Sequence, residues 1–394
     1  MFPSRANSSP LPYWRLSSFY FFYFAVLGSL TPYWGVYLKS LGYSSKDIGV
    51  FSAIIFMTRI IAPNFWGWLA DKSQQRLQII RLGSAAACVC FAGVLINQDY
   101  TWLIVVVSFY AFFWHAVLPQ FEVLTLNHLG NQYQRYGQIR LWGSLGFIVA
   151  VVCLGWLFDL FSVQILPFAM LLFLMLIVAS SFSLSEAGAS SPRKISSDFL
   201  SRVKQPTIVC FFLTSFLLQV SHGSYYTFYS LYLQMNHGYS STVAGLLWAL
   251  GVLAEVLIFL IMPRIMRWFS VRNLLLASFL IAATRWYLIG YLANSLWVLL
   301  FAQLLHAFSF GVAHAASIEV VRSHFSGGHE GQGQAFYSAF CFGAGGALGA
   351  LLSGMFWDFS STFTFLLSSL FAVMAFAIGY FGLHLSSLTP SLKG

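Results

Sequence analysis

This sequence predicts an all-α membrane protein of twelve helices in two related six-helix bundles, and three observations predict it. Hydrophobic residues make up 59% of the chain and charged residues only 8%, where a water-soluble surface needs roughly 25% charge. The length of 394 residues suits about twelve spans of ~20 residues with short connections. The chain also repeats itself. Gly42-Tyr43-Ser44-Ser45, with Gly49 four residues on, returns 196 positions later as Gly238-Tyr239-Ser240-Ser241 with Gly245; Gly155-Trp156-Leu157-Phe158-Asp159 is echoed by Gly354-Met355-Phe356-Trp357-Asp358. Internal doubling in so apolar a chain points to a carrier assembled from two helical bundles.

The spans follow in order at about 14–38, 47–70, 78–96, 102–127, 139–158, 163–184, 207–234, 242–262, 271–292, 296–319, 335–357 and 361–384. Each copy of the Gly-Tyr-Ser-Ser repeat follows an aromatic-rich span ending in Tyr-Leu, Tyr37-Leu38 and Tyr232-Leu233, so spans one and seven correspond. The N-terminal bundle is expected over 1–184 and the C-terminal bundle over 207–394. Between them, 185–206 is a polar linker containing Ser190, Ser191, Pro192, Arg193 and Lys194, too short and polar to fold alone. Phe, used 41 times, suits lipid-facing surfaces, and Trp and Tyr suit the headgroup belts.

The net charge of +9 does not point to nucleic acid, because of where it lies. Loops on the side of the termini carry Lys72, Arg76, Arg81, Arg135, Arg193, Lys194, Arg202, Lys204, Arg264, Arg267 and Arg272, whereas the opposite loops carry only Lys39 and Lys46. That asymmetry predicts both termini in the cytoplasm of an inner (plasma) membrane protein. Residues 1–13 are polar and the first apolar run is long enough to span, so no cleaved signal is expected. The five cysteines, Cys88, Cys90, Cys153, Cys210 and Cys341, fall inside apolar spans. They read as packing residues, with neither a disulfide framework nor a zinc spacing.

Between spans two and three lies Gly67-Trp68-Leu69-Ala70-Asp71-Lys72, followed by Arg76. This resembles the signature loop of the major facilitator superfamily, Gly-x-Leu-Ala-Asp-Arg-x-Gly-Arg-Arg/Lys. Gly67 would let helix ends approach, Asp71 would cap a helix or pair with a base at the gate, and Lys72 and Arg76 would hold the loop at the cytoplasmic face. Gln74 stands where the family has Gly, and Gln75 where it has Arg. Tyr136-Gly137-Gln138-Ile139-Arg140-Leu141-Trp142-Gly143-Ser144-Leu145-Gly146, Thr284-Arg285-Trp286 and Leu305-His306-Ala307-Phe308 are similar to the lactose permease group. They are closer still to the bacterial 3-phenylpropionic acid permeases. The resemblance implies the major facilitator fold, with Glu122 and Arg140 at the positions of the sugar-binding acid and its partner arginine.

A charge at mid-bilayer costs roughly 2.5–3.5 kcal/mol and normally faces a partner or a wet cavity. Six are expected there: Arg59, Glu122, Arg140, Glu255, Arg285 and Glu319. Glu122–Arg140 and Glu255–Arg285 are the expected pairs. Either they only join helices, or they break and reform as the bundles rock. His306 and His314, eight residues apart in span ten, suggest proton handling or hydrogen bonding between helices. The lactose permease has a carboxylate three residues after the histidine matching His306, whereas this chain has Ser309. A proton site is therefore expected at Glu255, Glu319 or a histidine.

His222, Tyr225, Tyr226 and Tyr229 recur at i, i+3, i+4 and i+7 and share one helical face. They form either a packing stripe or the wall of a site for a ring-shaped substrate, with Tyr33, Trp34 and Tyr37 of span one facing them. The glycines of span eleven permit close helix contact. Gly343-x-Gly345-Gly346 has no preceding strand and is no nucleotide fingerprint, and no hydrolase triad or metal-binding carboxylate cluster is evident. The expectation is a transporter rather than an enzyme. It would be proton-driven and without a cofactor, acting as a single chain on a small molecule in the bilayer. An aromatic monocarboxylate is the expected cargo, with a sugar or nucleoside as the alternative.

Overall fold

A computed structural model describes residues 11–186 and 198–384. Twelve long helical segments follow one another: α1 (Tyr13–Ser40), α2 (Ser45–Ser73), α3 (Arg76–Leu95), α4 (Tyr100–Leu129), α5 (Tyr136–Leu160), α6 (Val163–Phe182), α7 (Pro206–His237), α8 (Ser241–Trp268), α9 (Val271–Leu292), α10 (Leu296–His324), α11 (Glu330–Trp357) and α12 (Ser361–Gly382). Together they form two six-helix bundles. Among the described residues, ten stretches are long and apolar enough to cross a membrane, and one of them, Tyr100–Leu160, joins α4 and α5. α1 falls outside that set because its polar-tipped aromatics lower its hydropathy, yet Tyr20, Tyr23, Tyr33, Trp34 and Tyr37 are buried among neighbouring helices. Within 185–206, residues 187–197 lie outside the described residues. The rest is not wholly irregular, since Phe199–Val203 makes a short helical turn.

Each letter of the repeated motif has a structural task. Gly42 and Gly238 end their helices with φ of 89° and 68°, the left-handed region that glycine enters without penalty. The Tyr43 hydroxyl donates to the carbonyl of Gln98, and that of Tyr239 to the carbonyl of Ala293 at 3.0 Å, each tying the turn to the next hairpin. Ser44 and Ser240 accept from the backbone N–H of Asp47 and Val243, capping α2 and α8. A Cβ on Gly49 would lie 2.8 Å from the Ala350 carbonyl oxygen, and one on Gly245 would lie 2.5 Å from that of Val151. Only glycine allows these crossings.

The two repeats meet crosswise. Ser45 Oγ donates to Asp358 Oδ1 at 2.5 Å. In the mirror seam, Asp159 accepts from the backbone N–H groups of Ser241 and Thr242 at 2.7 and 2.8 Å and from the Thr242 hydroxyl at 2.5 Å. The first copy of one motif thus binds the second copy of the other. The seams α2–α11 and α5–α8 close the end of the molecule away from the termini, here the distal face. Contacts between bundles run inward as far as Ile60–Gly343 and Phe147–Trp248. Beyond them, the outer parts of α10 and α11 pack within their own bundle, and the space between bundles opens toward the face bearing the termini.

Candidate functional site: the cavity between the bundles

The C-terminal wall is organised around Arg285, which is completely buried and, among the described residues, has no carboxylate within 4.0 Å. Its Nε donates to the Ala302 carbonyl at 2.9 Å, Nη2 to Gln303 Oε1 at 3.2 Å, and Nη1 to His306 Nδ1 at 3.0 Å. The guanidinium lies against the rings of Tyr225 and Trp286, 4.2 and 4.5 Å from their centroids. Since arginine only donates, His306 Nδ1 accepts, and the ring proton sits on Nε2. That nitrogen faces Glu255 Oε2 at 3.7 Å, an electrostatic contact rather than a closed hydrogen bond. The expected Glu255–Arg285 pair is therefore not direct: His306 stands between the two. A π-helical turn, Ala307–Val312, immediately follows His306, a feature frequent at functional sites.

On the N-terminal wall, Arg140 places its guanidinium 4.0 Å from the Phe24 ring centroid and 5.5 Å from that of Tyr20. Arg59 lies 5.9 Å from the Phe56 centroid, within electrostatic reach of Tyr23, Tyr226 and His115. His115 itself is bonded to Thr58 Oγ1 at 2.9 Å. The expected Glu122–Arg140 ion pair is not closed. Glu122 accepts instead from the Tyr136 hydroxyl at 3.4 Å, and Arg140 acts on it only through space. Among the described residues, neither Arg59 nor Arg140 has a carboxylate within 4.0 Å. Arg140 also acts through space on Glu255 and His314 in the opposite bundle.

The tyrosine stripe divides. Tyr225 donates to Gln303 Oε1 at 3.0 Å and Tyr229 accepts from Gln303 Nε2 at 2.6 Å, so both support the Arg285 cluster. Tyr226 alone reaches across, meeting Phe56 at 6.4 Å between ring centroids. His222, at the break within α7, donates through Nδ1 to the Leu218 carbonyl at 2.8 Å and stacks near Tyr226. His314 packs among Phe310, Tyr337 and Phe342. Two assignments are corrected. Tyr33 does not face the cavity, because its hydroxyl donates to the Val151 carbonyl at 2.7 Å inside the distal seam. Glu319 is no mid-membrane charge, because it pairs with Arg322 one turn on at 3.0 Å near the open end. Gln303 escaped the sequence reading. The signal for it was its place three residues before His306, an amide inside an apolar span.

Residues 13–367 match the MFS_1-like family. The chain belongs to the major facilitator superfamily. It is 30% identical over 381 residues to a probable 3-phenylpropionic acid transporter of Escherichia coli, covering 90% of this chain and 94% of that one. It is 26% identical over 361 residues to the maltose permease of Geobacillus stearothermophilus, covering 88% and 89%. Among solved structures, the nucleoside transporter NupG superposes with a TM-score of 0.82 at 17% identity, covering 94% of this chain and 98% of the other. An inward-facing bacterial Spinster homologue superposes with a TM-score of 0.75 at 13% identity, covering 96% and 98%. The latter two likenesses show the fold. This is a multi-pass membrane transporter, and a membrane enzyme is set aside by its family.

The superfamily's signature loop takes a specific form here. Arg76 is buried and bridges Asp71 Oδ1, at 2.7 Å, and the side-chain oxygen of Gln120, so α2, α3 and α4 are tied at the open face. Lys72 lies over the Trp68 ring at 5.1 Å. Gly67 does not serve a close approach: a Cβ there would meet Gln120 Nε2 at an ordinary 3.6 Å. Gln74, standing where the family has glycine, has φ 56° and is the one non-glycine residue with positive φ among the described residues. The left-handed turn is retained without the residue that suits it.

Proposed function

We propose that this chain is a proton-driven symporter that imports a small aromatic monocarboxylate, of the 3-phenylpropionate type, by alternating access. The observation that carries the reading is the pair of arginines, Arg59 and Arg140, that face the cavity beside aromatic rings with no carboxylate within 4.0 Å among the described residues. A substrate carboxylate complements them, and its ring complements Phe24, Phe56 and Tyr226. The basic excess at the terminal face supports a cytoplasmic position for that face in the inner membrane. The distal face is then external and this state is inward-open. The substrate binds to a single chain, and the proton gradient takes the place of a cofactor.

Coupling follows from the action of Arg140 on Glu255 through space. Arg140 competes with a proton for Glu255 while it is free. A bound carboxylate neutralises Arg140 and leaves Glu255 to hold the proton, with His306 Nε2–H beside it. Substrate and proton then favour each other's binding, as symport requires. The test is uptake of labelled 3-phenylpropionate in the presence of unlabelled competitors. Competition by aromatic acids and none by maltose or uridine is expected. The reverse pattern would move the assignment to sugars or nucleosides, in keeping with the maltose permease relative.

A further inference from the structure

The signature loop between α2 and α3 has a counterpart 196 positions on, between α8 and α9, and the two copies differ in charge. Arg76 corresponds to Arg272, Asp71 to Arg267 and Trp68 to Arg264. Arg272 is satisfied within the protein, as Arg76 is, but by carbonyls: its Nε and Nη2 donate to those of Leu383 and Tyr380 at 2.7 and 2.6 Å. Arg264 and Arg267 are exposed. Among the described residues, neither has a hydrogen bond or a carboxylate within 4.0 Å, and 1–10, 187–197 and 385–394 contain no Asp or Glu. Both arginines continue an apolar stripe. Leu253, Leu257 and Leu260 are exposed, and with Arg264 and Arg267 they recur every three or four residues on one face of α8. That face is turned away from α10, which meets α8 through Gly251, Glu255 and Ile258, so it faces lipid. Trp268, 83% exposed, and Phe269 follow at once, aromatic residues of the kind that settle at the headgroup level. With 28 residues, α8 runs about 42 Å, longer than a hydrocarbon core of about 30 Å, so its last turns stand among headgroups.

We propose that the end of α8 is a docking site for an anionic phospholipid, whose phosphate bridges Arg264 and Arg267 while an acyl chain lies along Leu253, Leu257 and Leu260. The two arginines are three residues apart and neighbours on the helix surface, so one phosphate reaches both guanidinium groups. The repeat shows what sets this hairpin apart. In the first copy Asp71 takes Arg76 at 2.7 Å, and that charge is spent inside the protein. In the second copy a further arginine, Arg267, holds the place of the acid, which leaves cationic charge for a partner outside. Topology asks for positive charge at this face but not for its placement at the head of a lipid-facing stripe. The stripe also decides the kind of partner. An acidic protein or a free phosphate would use the arginines but gain nothing from leucines below the headgroup level, whereas a phospholipid uses both.

The test is native mass spectrometry of the delipidated full-length protein with equal amounts of dioleoyl phosphatidylglycerol and dioleoyl phosphatidylcholine, which share their chains and differ in headgroup charge. It compares the wild type, the double variant Arg264→Gln/Arg267→Gln, and Arg322→Gln, each checked for monodispersity. Arg322 is a cation near the same face already paired with Glu319, so its variant controls for charge lost elsewhere. The wild type and Arg322→Gln should retain phosphatidylglycerol over phosphatidylcholine by about tenfold or more, and the double variant by no more than about twofold. Excess glycerol 1-phosphate should not displace the lipid. No preference in the wild type, a preference that survives the double substitution, or one lost equally in Arg322→Gln would overturn the site. Displacement by glycerol 1-phosphate would overturn it in favour of a free anion, and tighter binding of hexaglutamate than of phosphatidylglycerol would overturn it in favour of an acidic protein.

Discussion

His306 Nδ1 lies 3.0 Å from Nη1 of Arg285, and this contact assigns the imidazole proton to the nitrogen facing Glu255. A glutamine at 306 can still accept from Arg285 through its amide oxygen but cannot pass a proton on. His306→Gln is therefore expected to keep substrate counterflow within about threefold and to lower gradient-driven accumulation about tenfold or more. Ser309→Ala is the control, since Ser309 is only a distant acceptor for Arg285 at 3.4 Å, and it should leave accumulation unchanged. Full accumulation by His306→Gln would remove the histidine from the proton path.

Arg140 rests on Phe24 and reaches across the cavity by charge rather than by contact. Arg140→Ala should reduce uptake by about a hundredfold, the loss expected when a charged hydrogen bond to a substrate carboxylate is removed. The protein should still insert, and its melting temperature should change little, because among the described residues no carboxylate lies within 4.0 Å of Arg140. Normal uptake would contradict the cavity assignment.

Asp159 holds the exposed start of α8 through two backbone N–H groups and the Thr242 hydroxyl. A carboxylate at an exposed helix N-terminus contributes about 1 kcal/mol, about a fivefold change in population. Asp159→Ala should weaken the distal seal by that factor. The measurement is the rate at which a Ser52→Cys reporter, behind the seal, reacts with an impermeant thiol reagent from the distal side. A rate unchanged by Asp159→Ala would show that the glycine crossings alone hold the seam.

Gln74 occupies a left-handed turn at a cost of about 1 kcal/mol for a side-chain-bearing residue, partly offset because its Nε2 donates to the Asp71 carbonyl at 2.6 Å. Gln74→Gly should raise stability by a few tenths to about 1 kcal/mol, read as a higher melting temperature in detergent, with transport retained. A lower melting temperature would mean that the side-chain bond outweighs the strain.

Most of the architecture was legible because it rests on local signals. Hydropathy places the helices to within a few residues, and the repeat announced two halves. The repeat also held more than symmetry, since its glycines, serines and aspartates turned out to be the two sides of the distal seam. The charges of the site were legible as a set but not as pairs. Sequence order could not reveal that His306 intervenes between Arg285 and Glu255, or that Tyr136 takes Glu122. Tyr33 was misplaced because helical periodicity says which residues share a face, not what that face meets, and Glu319 because an apolar run does not show how near its helix end a charge lies. The strain at Gln74 was visible only as a departure from the family's glycine, and became meaningful with its φ of 56°.

The most direct test of the central claim is uptake of labelled 3-phenylpropionate into sealed vesicles containing this protein, with a pH gradient imposed and then collapsed by an ionophore. Accumulation above the external concentration that depends on the gradient is the predicted result. Uptake that only equilibrates in both conditions would contradict proton coupling, and no uptake in either would contradict the aromatic-acid assignment while leaving the fold as described.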